Sequence, residues 1–134
     1  VNIPEYRAMA HKLANRRKKG SPHKDLVKAI VQRLVLMRGV VVIQHNTGAL
    51  AVGEGQHRRF VRFGYPGMAD LYVRARCVTP EFVWWRTVWL EVKVPPDVQS
   101  VAQVEFERMV VEWGDIYRVV RSVEDAERAV AGLP

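Results

Sequence analysis

The sequence is short of cysteine, of glycine and proline, of acidic charge and of long apolar runs, and each shortage excludes something. A single cysteine, Cys77, leaves no internal disulfide and no thiolate metal cluster, so a reducing, cytoplasmic setting is expected. Nine glycines and seven prolines in 134 residues are too few for a collagenous or low-complexity chain, and 49% hydrophobic residues are too many for a disordered one. No apolar run approaches the ~20 residues of a membrane span. Residues 1–20 end in basic side chains and carry no apolar segment with a cleavage site, so neither a membrane partner nor a signal peptide is expected. The remaining class is one globular domain, long enough to bury a core.

The shortage of acid has a counterpart in base. Lys and Arg number 21 against 14 Asp and Glu, a net charge of +7. On a small domain this favours a polyanionic partner, most simply nucleic acid. Part of the excess is concentrated in Arg16, Arg17, Lys18 and Lys19, a run that suits either a solvated arm or an arm touching phosphates. The chain therefore divides into a basic N-terminal arm, residues 1–20, and a domain, residues 21–134.

Patterning supplies the order of elements. Ser21-Pro22 is a helix start, and Leu26, Val27, Ile30, Val31, Leu34 and Val35 recur at three and four. The helix is expected to stop at Gly39. Val40 to Ile43 is a β-branched strand, residues 48–55 read as loop, and residues 57–63 read loosely as a strand. Two further strands, 70–76 and 82–94, flank a Thr79-Pro80-Glu81 turn and form a hairpin. A helix over 100–113, a strand over 116–120 expected to be central, and a last helix after Ser122 complete the chain. This order predicts an α/β domain, a mixed central sheet flanked by helices.

Two acids and an amine stand out. Asp70 begins one strand of the hairpin and Glu91 lies near the end of the other. Alternation puts Glu91 and Lys93 on one face, ~7 Å apart in Cα. An antiparallel pairing brings Asp70 beside Glu91. Two carboxylates suit a hard divalent cation that keeps waters and open positions for a phosphate oxygen, and a lysine suits the charge that builds up on phosphorus oxygens. A cross-strand or same-face Glu–Lys ion pair is the structural alternative.

The surrounding residues extend this pattern. Residues 59–71 (Arg-Phe-Val-Arg-Phe-Gly-Tyr-Pro-Gly-Met-Ala-Asp-Leu), Leu90-Glu91-Val92-Lys93, Ser100-x-x-Gln103, Gly114 and residues 117–122 (Tyr-Arg-Val-Val-Arg-Ser) occur in an order and spacing that resembles the VRR-Nuc family of the PD-(D/E)XK nuclease superfamily. The resemblance runs from about Lys24 to about Arg128. It implies a restriction-endonuclease-like core and assigns Asp70 as the metal-binding aspartate of Gly-x-x-Asp. It makes Glu91 the second metal ligand, Lys93 the catalytic lysine, and the Val92 carbonyl a further ligand. Gln103 matches a glutamine facing the active centre, and Asp25 stands where the family carries a glutamate on its first helix. The segment 94–99 departs from the family, which places Gly, Arg or Lys there.

The expectation is a Mg2+- or Mn2+-dependent deoxyribonuclease, acting as a homodimer on branched DNA such as Holliday junctions, in a bacterial or phage-infected cytoplasm. Arg59 and Arg62, with the basic run 16–19, are the expected DNA contacts. The alternative is a non-catalytic basic DNA-binding module on a nuclease-like fold. Structural readings stand beside the functional ones: Ser100-x-x-Gln103 is a capping box, and Asp25 complements the helix macrodipole. The histidines at 11, 23, 45 and 57 are not spaced as a metal pair and read as surface or loop residues, with His45 a candidate to line a cleft. Trp85 and Trp89 share the face of Glu91, where core packing or a dimer contact is favoured over base stacking.

Overall fold

Helix α1 (Pro22–Leu34) begins where Ser21 is extended and Pro22 occupies the first position, and it buries Val27, Ile30 and Leu34. It ends five residues before Gly39. The chain tightens through Leu36 N to Arg33 O and Met37 N to Leu34 O, at 3.2 and 3.0 Å, because Val35 and Leu36 face solvent and give no apolar reward for another turn. Gly39 still closes the turn in the left-handed region, φ 74°, and its carbonyl accepts from Arg76 N at 2.8 Å. The computed structural model describes residues 20–45 and 48–133; the basic run 16–19 lies outside them.

After α1 come β1 (Val40–Gln44), β2 (Gly48–Val52), β3 (Arg59–Phe63), β4 (Leu71–Val78), β5 (Val83–Val92), α2 (Val101–Glu112), β6 (Ile116–Val120) and α3 (Val123–Ala131). The main sheet has the order β1-β4-β5-β6. β1 and β4, and β4 and β5, are antiparallel; β5 and β6 are parallel. The described residues thus form a mixed α/β fold with a mixed four-stranded sheet and three helices.

Two expectations need correction. Residues 48–52 are a strand, paired antiparallel with β3 in a separate two-stranded sheet. Glycine and alanine there carry weak β preference, and the partner strand supplies what the segment lacks. β6 is an edge strand and not a central one. Its apolar run reflects cover on both faces, since Tyr117 and Val120 are both buried but in different clusters.

The sheet separates two cores. On one face α1 and α3 pack Ile30, Leu34, Ala126 and Val130 against Leu71, Val73, Val88 and Leu90; an Arg33–Glu127 ion pair joins the two helices. On the other face α2 packs Phe106 and Val110 against Trp89, Tyr117 and Ala69. The Trp89 indole donates to Asp115 at 3.0 Å, so the polar edge of this large ring is satisfied. Trp89 is core, whereas Trp85 is 44% exposed with Arg74 over its ring. Among the described residues no helix is long and apolar enough to cross a membrane.

Candidate active site

The register of β4 and β5 determines what meets at one end of the sheet. Leu71 is opposite Leu90 and Tyr72 opposite Trp89, so the residue before β4, Asp70, comes level with Glu91. Tyr72 and Trp89 turn toward the α2 side, and alternation gives Asp70 and Glu91 the same face. The three described helices also start at this end. α2 and α3 follow the C-terminal ends of the parallel strands β5 and β6, and the first turn of α1 contacts Asp70 through His23. Their dipoles favour anionic groups here.

Glycine 67 sets the position of Asp70. It adopts φ +76°, and a Cβ there would collide with the backbone carbonyl of Ala102 at the start of α2. The turn before Asp70 and the helix bearing Gln103 therefore touch through main chain. From the other side, His45 N donates to the Asp70 carbonyl at 2.8 Å, and His45 Nδ1 lies 3.1 Å from the Ala69 carbonyl. The His45 ring also lies 5.6 Å from Trp89.

The polar groups interlock. Val92 N donates to Asp70 Oδ2 at 2.8 Å. Glu91 is 2% exposed; its Oε1 accepts from Gln103 Nε2 at 2.6 Å and lies 3.3 Å from Lys93 Nζ. Gln103 serves twice, because its Oε1 also accepts from Ser100 N at 2.8 Å and completes the capping box of α2. The capping and site-facing readings of Gln103 are therefore both met by one side chain. The second oxygen of Glu91, Oε2, is buried and has no hydrogen-bond partner.

Burial, and next the negative charge of Asp70, push the Glu91 carboxyl from 4.5 up to about 7, against the opposing effect of Lys93 and His23. Beneath it, Tyr117 is held well above the ordinary phenol range, by burial first and by the Glu91 charge second. Gln99 Nε2 donates to the Tyr117 hydroxyl at 3.3 Å and to Glu107 at 2.9 Å.

The first helix contributes a residue that the sequence reading did not select. Asp25 is exposed and its carboxylate lies beside Gly20, whereas His23 Nε2 sits 3.4 Å from Asp70 Oδ2 and 3.1 Å from the Val92 carbonyl. The signal was available: His23, Val27, Ile30 and Leu34 fall at four, three and four, the stripe that faces the sheet, and Asp25 is off it. His45 lines a groove, as one sequence reading allowed, and His57 is exposed in a 3-10 turn. Arg59 is an exposed residue of β3; Arg62 shares that strand, with its side chain outside the described set.

A divalent cation would find hard oxygen donors here. Among the described residues no three His, Cys, Asp or Glu side chains form a group that could hold a metal by themselves. The available set is two carboxylates and one main-chain carbonyl, which suits an ion that keeps much of its water. The unpartnered, buried Glu91 Oε2 fits such an ion, since a buried carboxylate oxygen is otherwise costly to leave unpaired. Comparison of the chain with protein-family models, with curated proteins and with solved structures finds no match.

Proposed function

We propose that this protein is a divalent-metal-dependent DNA nuclease with a PD-(D/E)XK-type site, related to the VRR-Nuc family. The observation that carries the reading is the buried, unpartnered oxygen of Glu91 beside Asp70, with an ammonium on the same carboxylate. A merely structural Glu–Lys pair would leave no reason to set a second carboxylate, that of Asp70, where its negative charge opposes ionisation of the buried Glu91.

Asp70, Glu91 and the Val92 carbonyl would hold Mg2+ or Mn2+. When bound, such an ion polarises a phosphodiester and acidifies a water. The chain's own groups do the positioning. The Val92 N–H fixes the Asp70 carboxylate, and Gln103 fixes that of Glu91. Lys93, largely shielded from solvent, offsets charge developing on the phosphoryl oxygens as water attacks phosphorus and the ester P–O bond breaks. The positive ends of three helices favour the phosphate at this end of the sheet. On α1 it is His23 that contacts Asp70, while Asp25 is exposed beside Gly20.

Branched DNA as substrate and a two-fold dimer follow from the family resemblance, with two sites for two symmetry-related strands. The test is cleavage of branched, linear-duplex and single-stranded DNA, and of RNA, in Mg2+, Mn2+ or EDTA. Wild type should cut DNA only with metal. Lys93→Ala should bind DNA equally and cut it at least ~10²-fold more slowly. Equal cutting by both proteins, or none by wild type with either metal, overturns the reading.

A further inference from the structure

Beside the cluster runs a groove of about 550 Å3 between α1 and the end of β1, and Asp70 is one of its lining residues. Its composition is one-sided. Lys24 and Lys28 stand on one flank, one helical turn apart, ~6 Å along the axis, and among the described residues Asp70 is the only acid lining it. Its floor is apolar, from the buried Val27 and the half-buried Val31. Gln32, one turn beyond Lys28, and Gln44 on β1 add exposed amides.

We propose that this groove is the bed for an unpaired stretch of DNA strand. Lysines at helical spacing meet the charge of successive phosphates. An apolar floor suits the face of a sugar or a base that is not stacked in a duplex. Glutamine amides carry both a donor and an acceptor, which match Watson–Crick edges that a paired base keeps hidden. The volume is in the range of sites that enclose a small organic ligand, enough for a nucleotide. The inference that this strand leads to the cleaved bond rests on the proposed nuclease reading; the binding itself does not. It gives selectivity for branched or frayed DNA a physical origin: a strand must leave its duplex to lie here.

The test is fluorescence anisotropy in EDTA with a labelled 12-nucleotide single strand and the blunt duplex of the same sequence, over a salt series. Wild type is compared with Lys24→Ala/Lys28→Ala and with Gln32→Ala/Gln44→Ala. All four positions are exposed, and equal melting temperatures serve as the folding check. The lysine pair should weaken single-strand binding and lower the slope of log K against log salt by about 1.4, at ~0.7 per phosphate contact. The glutamine pair should weaken single-strand binding with the slope unchanged, and should leave duplex binding as it was. Variants that bind the single strand as wild type does, or that lose strand and duplex alike, overturn the proposal. Groove binding as expected without any metal-dependent cleavage leaves the groove standing and removes the nuclease reading; cleavage with an indifferent groove does the reverse.

Discussion

Replacing Glu91 by glutamine should make the metal-free protein more stable at alkaline pH, because the buried carboxyl resists ionisation. Burial and the neighbouring Asp70 raise the Glu91 carboxyl from 4.5 to about 7. Between those values the folded protein holds more protons at this group than the unfolded chain does, so unfolding free energy falls as pH rises. The contribution is fully present below 4.5 and is lost as the pH climbs through 7. The interval, 7 − 4.5 = 2.5, corresponds to about 3 kcal/mol at ~1.4 kcal/mol per tenfold change. In a domain of this length that is on the order of 10 °C in melting temperature. Glutamine keeps the shape and an oxygen for Gln103 Nε2 but carries no charge. Urea unfolding in EDTA at pH 4.5 to 8 should therefore show wild type falling relative to Glu91→Gln by most of that amount. Adding Mg2+ or Mn2+ at pH 8 should restore wild type and leave the variant unmoved. Parallel pH curves for the two proteins would refute the reasoning, since the groups they share cancel in the difference.

Other substitutions probe the scaffold. Gly67→Ala places a Cβ on the Ala102 carbonyl at a left-handed φ and should lower stability by ~2 kcal/mol or more in urea unfolding. It should also lower cleavage further than the stability loss explains, because the Asp70 turn must shift. Gln103→Glu retains an acceptor for Ser100 N but sets a carboxylate against Glu91; metal-free melting should fall at pH 8 and recover at pH 5, whereas Gln103→Ala should lose roughly 1 kcal/mol of capping at pH 5 and more at pH 8, where Glu91 also misses its donor. Trp89→Phe leaves Asp115 without its indole donor and should destabilise by ~2 kcal/mol in the same assay.

The elements legible in the sequence were those with a strong local pattern. The β4–β5 hairpin was legible because alternation and the turn at 79–81 agree, and its register follows from which faces are apolar. Helices α2 and α3 announce themselves by Ser100 and Ser122, each accepting from the backbone three residues on. Strand β2 was not legible, since its formation depends on a partner strand seven to fifteen residues away rather than on its own residues. The edge position of β6 was hidden because covering helices make an edge look central. At the site, Glu91 and Lys93 were placed by strand parity, and Asp70 by the hairpin. His23 was missed because residue type drew attention to the nearby acid, although the helical stripe that carries Val27 and Ile30 already pointed to the histidine.

Val92 offers its N–H to Asp70 and its carbonyl to His23, while its side chain is wholly enclosed in the opposite core. The main chain of this one residue, through the peptide units on either side of it, thus presents a donor and an acceptor that do not depend on which ordinary side chain it carries. Drift at this position is policed by packing volume alone, and isoleucine or alanine would keep both polar contacts. Proline is the exception, because it has no amide hydrogen, and it would strip the aspartate of its anchor while leaving every acidic and basic residue of the cluster in place.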